Sequence, residues 1–392
     1  MTTIDELTMD EASRRHHFPV AAERVFLAHA GVTALPRVAV EAVQAYLKAG
    51  SEDAQDNPWD NAKAGEARKL AGRLLGCEGR DIALLGPTSL GINLVAHGLP
   101  WEPGAEVVYY PDDYPANVYP WANLASRGVK PVPIAPPEQG VISWEDVEKA
   151  LTPRTKLVAL ASANFLSGYR VDLNYIGERL RTRGVLFCVD AIQTLGAFPM
   201  SVENIDFLCA DSHKWMLGPC GAGIFYVQPD RQELLRPPLL GSWNVVSPQF
   251  IAQEDIRFHP GARRYESGTL NLPGILGMGA AMELILDVGV ENIAARIREW
   301  RKTFLGAVRP LGWRLCIEEV DQDPATPDET RTGIIAITHP DKDMAALAKK
   351  LEENNVRMSQ RVNRAGEQFL RFSPHFYNTM DELDRVVELL KA

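Results

Sequence analysis

The sequence is short of basic residues: 41 Lys and Arg stand against 51 Asp and Glu in 392 residues, a formal net charge of −10. A surface of that sign repels polyanions. It argues against nucleic acid or an anionic membrane as partner and leaves only a local basic pocket for one small phosphate. Cysteine is scarce as well. Cys77, Cys188, Cys209, Cys220 and Cys316 are widely spaced, with no Cys-x-x-Cys pair, so neither a zinc ribbon nor a redox dithiol is expected. Cys188 and Cys209 sit inside apolar runs and read as buried reduced thiols. His-Glu-x-x-His is absent, and His16 and His17 are adjacent rather than at ligand spacing, so no metal is expected. No segment reaches the ~20 uninterrupted apolar residues of a membrane span. Met1 to Val20 carries neither an apolar signal core nor a small-residue cleavage pattern. A cytoplasmic protein without a membrane partner is the expectation.

What is present is an ordinary apolar fraction, 46%, with 23% charged residues, enough to bury a large core; the length predicts about two domains. The runs Ile82–Leu85, Glu106–Tyr110, Lys156–Ala161, Val185–Val189, Ile205–Ala210 and Gly223–Val227 predict short buried strands. Helix-like segments such as Ala62–Leu75, Trp144–Ala150 and Asn174–Arg183 lie between several of them. That alternation predicts an α/β fold with a mostly parallel sheet covered on both faces. Past Asn271 the pattern changes. Helices are expected at Gly274–Val288 and Glu291–Val308, then strands at Trp313–Glu318, Gly333–Thr338 and Phe369–Ser373. Helices Asp341–Glu353 and Met380–Leu390 flank these, the last capped by Thr379, and Asp321–Thr332 reads as a loop. The expected division is an N-terminal segment 1–25, a large α/β domain 26–272 and a small C-terminal α+β domain 273–392.

Ligands in such sheets gather beyond the carboxyl ends of the strands, and two strand ends carry chemistry. Val185–Val189 runs into Asp190 and Gln193; Ile205–Ala210 runs into Ser212, His213, Lys214 and Trp215. About one crossover separates them, so a carboxylate and an amine would face one crevice from adjacent strands. That pair suits a pyridine cofactor: the Asp keeps the ring nitrogen protonated, and the desolvated Lys forms a Schiff base and then shuttles a proton. Gly86-Pro87-Thr88-Ser89 follows a strand and opens an apolar helix, Ile92–Leu99, where hydroxyls and free N–H groups favour a phosphate. Gly218-Pro219-Cys220-Gly221-Ala222-Gly223 precedes a strand rather than a helix and reads as a tight turn behind the lysine. Gly31-Val32-Thr33 does not supply a dinucleotide fingerprint, so a nucleotide-dependent dehydrogenase is rejected.

Ser212-His213-Lys214-Trp215 with Gly218-Pro219-x-Gly221-x-Gly223 resembles the lysine signature of class V aminotransferases. These fold-type I pyridoxal 5′-phosphate (PLP) enzymes include cysteine desulfurases and isopenicillin N epimerase-like proteins. Leu27-Ala28-His29-Ala30-Gly31 is similar to the family's first strand, Asp190-Ala191-Ile192-Gln193-Thr194-Leu195-Gly196 to its cofactor aspartate segment, and Gly91–Ala96 to its phosphate helix. Glu266-Ser267-Gly268-Thr269-x-Asn271 and Arg371-x-Ser373-x-x-x-Tyr377-Asn378-Thr379 complete a resemblance that runs from about residue 20 to 390.

The resemblance implies a fold-type I enzyme acting on an amino acid through an external aldimine. Lys214 would carry PLP, and Asp190 would pair with the pyridinium. Gln193 and Asn164 would serve the ring hydroxyl side. Thr88, Ser89, Ser212 and His213 would hold the phosphate. Thr269 would reach the phosphate of a neighbouring subunit, which implies a homodimer. Tyr114 would stack on the ring where desulfurases place a His. Arg371 would clamp the substrate α-carboxylate, with His29 and Arg361 as further substrate-binding candidates. Arg361 and Arg364 are also candidates for a second acidic group on the substrate, and Trp243 and His375 for the pocket wall. One departure matters: Val356–Gly366, where desulfurases carry a catalytic Cys, contains none. A persulfide-forming desulfurase is therefore disfavoured. The leading expectation is a β-eliminating C–S lyase, with an aminotransferase or epimerase as alternatives and a non-catalytic partner subunit disfavoured.

Overall fold

The structure is a computed structural model that describes residues 3–56 and 61–391; the first two residues of the expected N-terminal segment and the last of the chain lie outside them. Thirteen strands occur among the described residues. They are β1 Val25–Phe26, β2 Ile82–Leu85, β3 Glu106–Tyr109, β4 Lys130–Pro133, β5 Thr155–Ala161, β6 Leu186–Asp190 and β7 Phe207–Asp211. The rest are β8 Gly223–Val227, β9 Arg314–Leu315, β10 Ile335–Thr338, β11 Val356–Arg357, β12 Ser359–Val362 and β13 Gln368–Phe372.

Seven of them form the large sheet, in the order β2-β8-β7-β6-β5-β3-β4. Its strands alternate strictly in what they bury. Leu157, Ala159, Cys188, Phe207, Cys209 and Phe225 face one apolar layer, while Val158, Leu160, Phe187, Val189, Leu208 and Ile224 face the other. Both faces are covered, which is why these segments read as unbroken apolar runs rather than alternating ones. The mostly parallel α/β fold expected from the sequence is present. β8 alone runs against its neighbours, antiparallel to both β2 and β7. The turn between β7 and β8 has no helix long enough for a parallel crossover.

The edge strand β4 was missed from the sequence because Pro131 and Pro133 interrupt it. An edge strand pairs on one side only, so a proline N can face outward at no cost to the ladder. Leu272–Val288, expected in the small domain, packs into the large core through Ile275, Met278, Ala281, Met282 and Ile285. Its apolar stripe covers helices Arg37–Glu52 and Asn61–Leu75.

The C-terminal part is built on the antiparallel sheet β12-β13-β10-β9. Leu315, Ile335, Ile337, Leu370 and Phe372 point into its own core with Trp300 and Phe304. Ala336 and Phe369 point the other way, toward Leu166 of the large domain. The expected strand Trp313–Glu318 shrinks to Arg314–Leu315, because Glu318 opens a short helix, Glu318–Gln322. Its carboxylate there accepts from the Leu315 N–H and from Arg309 Nε. Asp321, expected in a loop, ends up buried in that helix between Arg301 and Arg309 at 2.6 and 2.7 Å. Thr379 caps Met380–Lys391 as expected, accepting from the Glu382 N–H at 3.2 Å. The segment similar to the family's first strand does not join the large sheet. β1 pairs in parallel with β11, Ala28 bridges Ser373, and Val25 and Leu27 sit in the small core. No single helix among the described residues is long and apolar enough to cross a membrane.

Candidate active site

The carboxyl ends of β2, β3, β5, β6 and β7 open on one cavity of about 620 Å³, closed from the other side by β12 and β13. That volume suits a cofactor and a small substrate together. Lining it are Thr88, Ser89, Tyr114, Asp190, Gln193, His213, Lys214, Arg361 and Arg371, all singled out from the sequence.

Lys214 is buried, and its ammonium is pushed down to about 8 by desolvation, with Asp190 opposing that shift and Arg371 adding to it. Its Nζ sits 5.3 Å from the centre of the Tyr114 ring, a contact that favours a cation over the ring face. Asp190 is also buried, and desolvation pushes its carboxyl up to about 6 despite an N–H bond from Ile192 at 3.0 Å and the nearby Lys214. A bound cation at its second oxygen would restore the charged form. Gln193 is fixed by Trp215 Nε1, which donates to its Oε1 at 3.1 Å, and by its own donation to Ala30 O.

The loop carrying the lysine is tight. Ser212 Oγ donates to Pro219 O, the Gly218 N–H reaches Ser212 O, and Leu217 takes a left-handed φ of 57°. Strain of that kind costs about 1–3 kcal/mol and persists only where the surroundings impose it. Gly218 has no room for a side chain: a Cβ there would run into Ser212 and come within 3.3 Å of Met278 Cα. Gly218→Ala is therefore expected to destabilise the protein by about 1–3 kcal/mol, read as a lower thermal midpoint. An unchanged midpoint would mean that the turn is looser than described.

Helix Thr88–Gly98 begins beside the lysine loop, and Thr88 Oγ1 accepts the Asp211 N–H at 2.9 Å. Its hydroxyl hydrogen remains available, as do the first N–H groups of the helix. His213 Nδ1 is 3.1 Å from Asp211 Oδ1, but the two are misaligned for a hydrogen bond and both are buried without a partner. Arg371 donates to Phe165 O at 2.6 Å and lies 3.5 Å from Ser359 Oγ, while its Nε is buried and unpartnered. Burial and the neighbouring Arg361 push its guanidinium down to about 9, so it stays charged at neutral pH. An amine, a carboxylate for a ring nitrogen, an aromatic face, a hydroxyl-lined helix start and an arginine for a carboxylate form a donor set that fits PLP and an amino acid.

Several expected residues stand outside the lining. His29 does not reach the cavity: it is fully buried, with Nδ1 2.7 Å from Thr33 Oγ1 and Nε2 3.1 Å from the Tyr377 hydroxyl. Burial and the nearby His375 hold it well below the usual histidine range, so it is neutral and already bonded. Asn164 organises the turn after β5, its Oδ1 accepting from Leu166 and Ser167 N–H, with Nδ2 buried and unpartnered. Ser212 faces the turn behind the lysine. Thr269 is exposed on the surface of its own chain. Neither Trp243 nor His375 lines the cavity, and His375 is locked against Trp215 O at 3.1 Å.

Sequence reasoning missed Phe165, whose ring meets Tyr114 edge-on at 5.7 Å and whose carbonyl anchors Arg371. The signal was its place just beyond β5. It also missed Asp113, buried beside Asp190, where desolvation and that neighbouring charge push its carboxyl up to about 7. Among the described residues no cysteine lines the cavity. Cys316 packs behind Phe165, and burial pushes its thiol up to about 12.

The chain matches the Aminotransferase class-V family over residues 25–386. A probable cysteine desulfurase of Methanothermobacter thermautotrophicus is 27% identical over 396 residues, covering 96% of each chain. The apo cysteine desulfurase of Thermococcus onnurineus NA1 superposes with a TM-score of 0.85 at 22% identity, over 96% of each chain. The cystine C–S lyase C-DES, solved with its reaction product cysteine persulfide, superposes with a TM-score of 0.84 at 21% identity, over 95% of this chain and 99% of that one. Identities this low make the two structures evidence of fold, while the match along nearly the whole chain is evidence of descent. A family match over residues 25–386 settles the descent: the chain belongs to the class-V aminotransferase family of PLP-dependent enzymes.

Proposed function

We propose that this enzyme eliminates a sulfur leaving group from the β-carbon of a cysteine-derived amino acid. The observation that carries the reading is a lysine, an aspartate and a buried arginine in one cavity with no thiol in its lining among the described residues. Bound PLP supplies an electron sink that acidifies the substrate Cα–H. Lys214 would hold the cofactor through its amine, and its Nζ is the group in the cavity that takes the substrate Cα proton. An amine pushed down to about 8 can both accept and release that proton near neutral pH. Asp190 holds the proton of the ring nitrogen, and Tyr114 and Gln193 fix the ring plane. Thr88, Ser89 and His213 bind the phosphate, with Ser212 shaping the loop behind them.

Arg371 takes the α-carboxylate and so aims Cα–H at Lys214. Departure of the sulfur with its bonding pair then needs no attack by a protein thiolate, in keeping with a Cys316 thiol that stays protonated. Thr269, exposed on its own chain, is assigned to the phosphate of a neighbouring subunit, and a homodimer goes with that assignment. Transamination is the second reading, because the same residues serve it. The test is the visible spectrum of the holoenzyme while L-cystine and then L-alanine are added without keto acid. Return of the original band with accumulating pyruvate from cystine is the expected result. Lasting conversion to the pyridoxamine form would replace elimination with transamination.

A further inference from the structure

We propose that Arg361 makes this cavity selective for amino acids bearing a second carboxylate on the side chain. The inference rests on the reading of Arg371 as the α-carboxylate clamp. Among the lining residues His213, Lys214, Arg357, Arg361 and Arg371 are basic, and Asp190 is the one acid. In a chain of net charge −10, that surplus is local and sited.

The three other lysine and arginine side chains each have an occupation. Lys214 faces Asp190 and the cofactor. His213 stands beside the helix start. Arg357 is half-exposed and paired with Glu352 at 3.4 Å, and Arg371 is anchored on Phe165 O. Arg364, the other sequence candidate for a second acidic group, turns out of the cavity. It pairs with Asp112 and donates to Pro111 O at 3.0 Å.

Arg361 is different. It is partly buried, its one bond is from NH1 to Gln360 O at 2.8 Å, and no carboxylate pairs with it among the described residues. The β12–β13 register puts Ser359 opposite Arg371, so Arg361, two residues along β12, shares that sheet face. Diagonal neighbours of this kind stand roughly 7–8 Å apart. Two long guanidinium side chains so placed span the two ends of a short diacid. Arg361 and Tyr114 both line the cavity; burial lowers the Arg361 pKa, and the Tyr114 hydroxyl opposes that shift. A charge left partly desolvated without a partner gains most when an anion arrives.

The test is isothermal titration calorimetry of the PLP-loaded enzyme, in buffer free of phosphate, with succinate, glutarate, adipate and butyrate as probes. At least one diacid is expected to bind about tenfold or more tighter than butyrate, as a charge-assisted bond gives. Arg361→Gln is expected to remove that preference while butyrate binding and PLP retention stay as in the wild type; Arg361→Lys recovers part of it. Equal affinities in the wild type, a preference that survives Arg361→Gln, or loss of PLP from that variant would each overturn the assignment. Failure to release pyruvate from cystine would instead count against elimination, and leaves diacid binding to be read separately.

Discussion

Lys214→Ala is expected to lower turnover by at least ~10³-fold, within the range that a positioned acid–base group contributes, and to abolish borohydride labelling at that position. The variant should still fold, because it removes a buried amine whose charge is a burden. The Lys214 pKa is lowered from 10.5 to about 8 by desolvation in the cofactor-free protein. Below about 8 the amine is protonated in both folded and unfolded chains, and its burial penalty is fully present. Between about 8 and 10.5 the unfolded chain binds more protons, so stability rises with pH. Cofactor-free wild type should therefore gain thermal stability across that window relative to Lys214→Ala. Cys220→Ala, on the exposed side of the turn, is the control and should retain turnover within about twofold. If Cys220→Ala abolished activity and Lys214→Ala did not, the site would be wrongly assigned.

The second large effect belongs to Asp190→Asn. The substitution keeps an acceptor for the Ile192 N–H at 3.0 Å but removes the charge that would hold a proton on the ring nitrogen. Breaking one side of a buried ion pair costs about 3–5 kcal/mol; with that loss felt in the transition state, turnover should fall by roughly 10²–10⁴-fold at one decade per ~1.4 kcal/mol. Because Asp190 raises the Lys214 pKa against desolvation, its loss should also move the pH midpoint for PLP uptake by the cofactor-free protein below about 8. Wild-type turnover in Asp190→Asn would show that the carboxylate does not serve the ring; an unmoved midpoint would show that it does not reach the lysine.

Much of the site was legible because its parts are local. Asp190 and Lys214 stand at or just past the ends of apolar runs, and strand ends in a parallel sheet converge whatever the details of packing. Thr88 and Ser89 at a helix start, and Gly218 in a turn with no room for a Cβ, are likewise short-range features. His29 misled for the opposite reason. It lies in a motif-like segment, but that segment pairs with β11 and Ser373 instead of the large sheet, and its ring bonds Tyr377, 348 positions away.

The sequence by itself determined the α/β class, nine of the thirteen described strands and the lysine, aspartate and arginine of the cavity, because periodicity and motif chemistry act over a few residues; β1, β4, β11 and β12 are short or edge strands without that signal. The tertiary structure alone decided the strand order, the docking of the first strand on the small domain, and which of Arg361 and Arg364 turns inward. The pleat puts successive side chains on opposite faces. Which face becomes the cavity wall is then set by register with β13 and by packing against Phe165 and Leu166 of the large domain, contacts that no local pattern encodes.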